Sequence, residues 1–231
     1  METFYKPNLE NQPGFLSEEE SKHCATVLRK KEGDQIHLMN GKGVIQLCQL
    51  SRIDKKRCEY NLLKEESVSS KPFRIHLAIA PTKNADRMEW MIEKLQEIAV
   101  DEVTLLSTAH SERSRVRIDR LDKKAISAMK QSRHPFLMQI NELTSLDDFI
   151  SKVDTQTNLI AHLGDHPYLM DIIGPKTSTT ILIGPEGDFS ENEVKLAEQQ
   201  GFKPVSLGHT TLRTETAGLM SCHFVNIKNS Y

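Results

Sequence analysis

Two short stretches of this chain hold the residue types that can do chemistry. The first is Gly184-Pro-Glu-Gly187, a tight glycine-bearing loop with the carboxylate of Glu186 inside it. The second is Leu212-Arg-Thr-Glu-Thr-Ala217, in which Arg213 and Glu215 stand among hydroxyls. A glycine loop that opens a helix can cradle a phosphate, because helix N-termini attract anions. This one lacks the lysine and the spacing of a Walker loop, no Gly-x-Gly-x-x-Gly occurs in the chain, and Glu186 would repel a phosphate. A cationic ligand suits it better. Arg213 can do the complementary task, stabilising negative charge that grows on a reacting group. Either loop alone reads equally well as a plain strand-to-helix turn. A carboxylate, an arginine and several hydroxyls concentrated in both favour a shared site.

A second concentration is basic. Arg113, Arg115, Arg117, Arg120, Lys123, Lys124, Lys130 and Arg133 lie between Ser111 and His134, against only Glu112, Asp119 and Asp122. A solvated helix face and a surface for a polyanion are both open readings of that run. Arg29, Lys30 and Lys31 make a smaller patch. His162 and His166 are separated by Gly164 and followed by Pro167, which denies them one helix, so no metal site is expected. Trp90, between Met88 and Met91, reads as core or interface rather than a base-stacking platform.

The elements that must position these residues follow from periodicity. Thr180 to Ile183 is a short apolar strand that breaks at Gly184, and Ser190-Glu-Asn-Glu193 is a capping box opening a helix. A strand over Pro204 to Leu207, a loop from Gly208 and a helix from about Thr214 to Lys228 repeat the design. Loops at the carboxyl ends of strands are where open α/β sheets hold ligands. Phe73 to Ala80, Val103 to Leu106, Phe136 to Ile140 and Asn158 to Leu163 read as further strands. Met88, Met91, Ile92, Leu95 and Ala99 stripe a helix over Asp86 to Ala99, and Leu121, Ala125, Ala128 and Met129 stripe another. Residues 73–231 are therefore expected to form an α/β domain with a mainly parallel sheet covered on both faces. Residues 1–70 read as short strands around one helix starting at Ser17 and ending near Lys30, with a hairpin turn at Asn40-Gly-Lys-Gly43. A small β-barrel is expected there, with Ser67 to Pro72 as linker.

Composition narrows the class. The chain has 231 residues, 38% hydrophobic and 27% charged, with a net charge of −2. Near-neutrality gives nucleic-acid binding no global support, so any such role must rest on local patches. No apolar run approaches the roughly 18 residues of a membrane span, and the first residues do not read as a signal peptide. Cys24, Cys48, Cys58 and Cys222 are scattered without metal spacing. A cytoplasmic protein with reduced thiols, and neither membrane nor metal partner, is the expectation.

These motifs, taken together, resemble the 16S ribosomal RNA uridine-N3 methyltransferase family, a branch of the knotted SPOUT methyltransferases. The resemblance runs nearly end to end: Val27-Leu-Arg29, Gly33-Asp34, Gly41-Lys-Gly43, Lys83, Asp86 to Lys94, Ser111-Glu-Arg-Ser114, then the two loops in order and spacing. The chain departs from the family pattern at Asp188, at His209-Thr-Thr and at Gln131-Ser-Arg133-His134. The resemblance implies an N-terminal barrel similar to RNA-binding PUA domains, a C-terminal sheet ending in a trefoil knot, and a homodimer. It also implies S-adenosylmethionine as methyl donor and a uridine of small-subunit rRNA, naked or in the assembled ribosomal particle, as acceptor. The donor would be held by Leu163, Gly164, Ile183, Gly184, Pro185, Glu186, Gly187, Leu207, Gly208, Leu212 and Thr214, and RNA by Arg29, Lys83, Arg87, Arg113, Arg115 and Arg133. Arg213 is the expected stabiliser of charge on the uracil carbonyls, with Glu215 or Glu186 assisting removal of the N3 proton. A non-catalytic RNA-binding protein that keeps the fold is the alternative, and a nucleotide-phosphate enzyme a third reading.

Overall fold

In the computed structural model, which describes residues 2–9, 14–111 and 115–230, the chain divides into two compact units. Residues 1–70 and 126–137 form the first; residues 71–125 and 138–231 form the second.

The first unit is built on alternation. Strands β1 (Thr3–Tyr5), β2 (Gly14–Phe15), β3 (Gln35–Met39), β4 (Val44–Arg52) and β5 (Glu59–Ser67) form one sheet in the order β1-β3-β4-β5-β2. Only the β1–β3 pair is parallel. Ile36 and Leu38 on β3 turn inward on either side of His37 and meet Phe4, Leu16, Cys24, Cys48, Leu50 and Tyr60 in a buried core. Asn40 makes the hairpin turn by accepting from the main-chain N–H groups of Lys42 and Val44 at 2.8 and 3.0 Å. Ser17 caps the helix as its sequence signature requires, accepting from Glu20 N–H at 3.2 Å. Helix α1 is short, however (Glu18–Lys22), and continues as a π-helical turn over His23–Val27 rather than a regular helix to Lys30. There the Thr26 hydroxyl returns to the Lys22 carbonyl, the side-chain competition that distorts a helix end. Strand β5 runs to Ser67, into the stretch read as linker.

In the second unit strands and helices alternate. The elements are β6 (Ile75–Ile79), α2 (Ala85–Glu97), β7 (Glu102–Ser107), α3 (Ile118–Ser132), β8 (Gln139–Ser145), α4 (Leu146–Ile150), β9 (Thr157–Ala161), α5 (Leu169–Ile172), β10 (Thr179–Ile183), α6 (Glu191–Gln199), β11 (Lys203–Val205) and α7 (Thr214–Ser230). Helix α3 contributes its first half to this unit and its second half to the other. Every strand pair is parallel, in the order β11-β9-β10-β6-β7-β8. Strand β10 is buried along its whole length, as a strand covered on both faces must be. On one face Ala78, Leu106, Ile160 and Leu182 pack with Phe149 of α4, Val194 and Ala197 of α6, and Phe202. On the other, α7 packs on β6 and β10, and α2 packs against α7. A Cβ added to Gly218 would come within 2.9 Å of Ile79 Cδ1 and 3.3 Å of Met91 Sδ, so glycine lets α7 approach this closely.

Three readings change. The strand expected over Phe136 to Ile140 begins at Gln139, and Phe136 instead bridges Lys42 within the first unit. Helices α4 and α5 were not expected, being too short to show a helical period. Trp90 is 44% exposed, which sets aside core and leaves interface of its two readings.

Candidate active site

Three loops leave the carboxyl ends of β9, β10 and β11, at residues 162–168, 184–190 and 206–213. They border one cavity of about 450 Å³, within the size range of small-molecule sites. Its walls are fixed by main-chain bonds rather than by side chains alone. Ala80 N–H donates to Ile183 C=O at 3.0 Å, and Asp188 N–H closes a turn onto Pro185 C=O at 3.0 Å. Helix α6 opens with the complete capping box: Ser190 Oγ accepts from Glu193 N–H, and Glu193 Oε2 accepts from Ser190 N–H at 2.8 Å. The other carboxylate oxygen of Glu193 accepts from Ala109 N–H at 2.8 Å, which ties the loop after β7 to the same corner. The 162–168 loop is stitched to the end of β11, with Ser206 N–H donating to Pro167 C=O at 2.9 Å and Leu169 N–H to Ser206 C=O at 3.0 Å.

Leu163, Gly164, Ile183, Gly184, Pro185, Glu186, Leu207, Gly208, Leu212, Arg213 and Thr214 all line this cavity. Gly187 and Glu215 are not among its lining residues. Gly187 lies against His110, whose Cβ would be 3.3 Å from a Cβ placed on that glycine. Glu215, only 6% exposed in the first turn of α7, faces Arg87 Nε at 3.6 Å. Glu186 and Arg213 are exposed, and among the described residues neither side chain forms an ion pair or hydrogen bond. The cavity thus offers one negative and one positive group, both available to a ligand, above apolar walls from Leu163, Ile183, Leu207 and Leu212.

Nine further lining residues escaped the reading of the sequence as site residues, His162, Asp188, Ser206 and His209 among them. Asp188 Oδ2 accepts from His162 Nδ1 and from Leu163 N–H, each at 2.9 Å. His209 Nε2 lies 3.0 Å from Tyr168 Oη, with the two rings edge to face at 5.6 Å. The signal for Asp188 was its place directly after Gly187; for His162, its place at the end of a strand. The rings of His162 and His166 are 5.4 Å apart. Among the described residues, no cluster of three or more His, Cys, Asp or Glu has a metal-holding arrangement.

The basic residues divide between the two units. Arg29 and Arg133 are exposed in the first, and both hold left-handed backbone, at φ 51 and 56, directly after helical segments. Lys83, Arg87 and Arg115 belong to the second, and Arg113 lies outside the described residues. Part of the basic run is self-neutralised: Arg120 pairs with Glu89 at 2.8 Å and Arg117 with Asp119 at 2.7 Å.

A family profile described as an RNA methyltransferase domain matches residues 69–226, and one described as an RNA methyltransferase PUA domain matches residues 16–63. A protein of Aquifex aeolicus named ribosomal RNA small subunit methyltransferase E is 30% identical, over 94% of this chain and 95% of its own. The crystal structure of a probable rRNA-methyltransferase from Porphyromonas gingivalis is 40% identical with a TM-score of 0.94, covering 100% of this chain and 99% of the other. That of a ribosomal RNA small subunit methyltransferase E from Neisseria gonorrhoeae, bound to S-adenosyl methionine, is 30% identical with a TM-score of 0.89, covering 99% and 98%.

Proposed function

The chain belongs to the RNA methyltransferase family, in the branch that acts on ribosomal RNA of the small particle, and from that premise we propose that it uses S-adenosylmethionine to methylate N3 of a uridine in 16S ribosomal RNA. The observation that carries this reading is the pair of unengaged charges on one apolar-walled cavity, Glu186 and Arg213. When bound, the donor supplies a methyl carbon on a cationic sulfonium, which N3 can displace in line. Glu186 gives that cation a carboxylate neighbour, where a phosphate would be repelled. Leu163, Ile183, Leu207 and Leu212 give an adenine apolar walls, and the loop backbones at Gly164, Gly184, Gly208 and Thr214 give it hydrogen-bonding groups.

The acceptor N3 carries a proton, so a base must take it while negative charge spreads to the ring carbonyls. Of the two carboxylates open as base, Glu186 is the better placed, since it lines the cavity. Glu215 does not line the cavity and lies buried beside Arg87, whose Nε is 3.6 Å away. We assign Glu215 the task of holding Arg87 and the first turn of α7. Arg213, unpaired at the cavity, is assigned the charge on the carbonyls. RNA is taken by Arg29, Lys83, Arg115 and Arg133, by Arg113, and by Arg87 where it is exposed beyond its ion pair. The PUA-type first unit supports that division.

Helix α7 supports a homodimer. Ala217, Ser221, Cys222 and Val225 are buried on its inner face, whereas Leu219, Met220, Phe224 and Ile227 are only partly covered on the other. A helix apolar on two sides wants a second partner. A trefoil knot through the loops of the cavity, and a cytoplasmic site of action on the small ribosomal particle, belong to the same reading. Titration of the purified protein with S-adenosylmethionine tests it first: saturable binding, displaced by S-adenosylhomocysteine and not by ATP, is expected. Competition by ATP alone would favour a nucleotide-phosphate enzyme, and no donor binding would favour the non-catalytic RNA-binding protein.

A further inference from the structure

Asp188 holds its backbone at φ 59, in the left-handed region where a side chain is costly and glycine is at ease. A residue needed only for the turn onto Pro185 would do better as glycine. The carboxylate is instead fully engaged. Its Oδ2 accepts from His162 Nδ1 and Leu163 N–H, each at 2.9 Å, and its Oδ1 from Phe189 N–H at 2.7 Å. The Asp188 carbonyl is also 3.0 Å from His110 Nδ1, on the loop after β7. One residue therefore joins the ends of β7, β9 and β10. His162 and Leu163, the two groups held by the carboxylate, both line the cavity. Leu163 is 60% exposed, so packing of its own side chain does little to hold that loop in place. With the carboxylate on Nδ1, the tautomer that donates there leaves Nε2 as the remaining polar atom of a cavity-lining ring.

We propose that Asp188 is a positioning residue of the methyl-donor site: it clasps the 162–166 loop to the 184–190 loop and so presets the wall the donor binds against. The proposal rests on reading the cavity as the donor site. It predicts a cost in binding where a purely structural turn residue predicts none, because the relaxed loops must be ordered again by the ligand.

The test uses the full-length protein with Asp188→Gly, His162→Phe and the double substitution, each titrated calorimetrically with S-adenosylmethionine and melted in parallel. Asp188→Gly should weaken donor binding about tenfold or more, the scale of losing hydrogen bonds to a charged group. Its Tm should stay near wild type, since relief of the left-handed backbone offsets part of the lost hydrogen bonding. His162→Phe should weaken binding in the same direction, and the double variant should lose little beyond the larger single effect, because both act through one clasp. Wild-type donor affinity in Asp188→Gly overturns the proposal, as do fully additive losses in the double variant. A wild-type protein that binds no donor overturns the reading of the cavity itself, and the clasp with it.

Discussion

The parallel sheet serves opposite purposes at the amino end of β6, β7 and β8 and at the carboxyl end of β9, β10 and β11. At the amino end, where β6, β7 and β8 begin, charges are spent on one another. Glu102 accepts from Arg74 at 3.0 Å and from Asn141 at 2.7 Å, with His76 at 3.7 Å; Asn141 and His76 also reach Thr104 Oγ1 at 2.8 Å. Lys71 pairs with Asp101 at 2.9 Å, and Asp101 accepts from Ile75 N–H at 2.7 Å. At the carboxyl end, Glu186 and Arg213 share a cavity with no such partners among the described residues. A charge left without a partner beside an apolar cavity gains nothing for stability, so its retention there points to a ligand. One half of the sheet supplies stability at its amino end, and the other half carries chemistry at its carboxyl end.

Substitutions should therefore separate by end. The largest effect is expected for Arg213→Ala. Single-turnover methylation should fall by roughly 100–1,000-fold, the range for losing one preorganised donor, with Tm and donor affinity close to wild type. Arg213→Lys should recover part, since it keeps charge and loses the planar fork. A lowered Tm with the rate per bound complex preserved would make Arg213 structural and erase the contrast. Next in size, Glu102→Ala should cost about 1–3 kcal/mol of unfolding free energy, because it leaves Asn141 and His76 short of a partner. Donor titration of the folded protein should be unchanged; a weakened Kd would mean the ends are coupled.

The smallest effect concerns pH. Burial pushes the His76 imidazole below its ordinary value of 6.5, outweighing Glu102, which pulls it the other way. The unfolded chain then takes up the proton first. Stability is present above about 6.5 and declines as the pH falls through that value towards the lower folded pKa. His37 in the first unit is shifted the same way by burial and by Arg133. His76→Gln should flatten part of the acid limb of a Tm-against-pH curve, and a variant curve parallel to wild type would remove His76 from the account.

What the sequence could carry was local. The capping box Ser190–Glu193 was readable because its bonds span three residues, and the strand before Gly184 because an unbroken apolar run has few other fates. Leu163, Ile183 and Leu207 meet at one cavity because each stands at or just past the end of a parallel strand, a relation visible as apolar run then break; Leu212 joins them from the far end of its loop, just before α7. Glu215 shared that motif yet turns to Arg87, a partner distant in the chain that no local spacing announces. Asp188 was visible only as an oddity; its left-handed backbone and its hold on His162 are tertiary facts. The π-helical end of the first helix and the short helices α4 and α5 fall below the length at which periodicity speaks.

The central claim is tested most directly by the product. Purified protein is incubated with methyl-labelled S-adenosylmethionine and 16S rRNA, free and in the assembled ribosomal particle; the labelled nucleoside is identified by chromatography against methyluridine standards, and its position by mapping labelled RNA fragments. The account predicts label in N3-methyluridine at a single position, abolished or slowed by Arg213→Ala. Label on another base or another ring atom, or none with either substrate while the donor is bound, would contradict it.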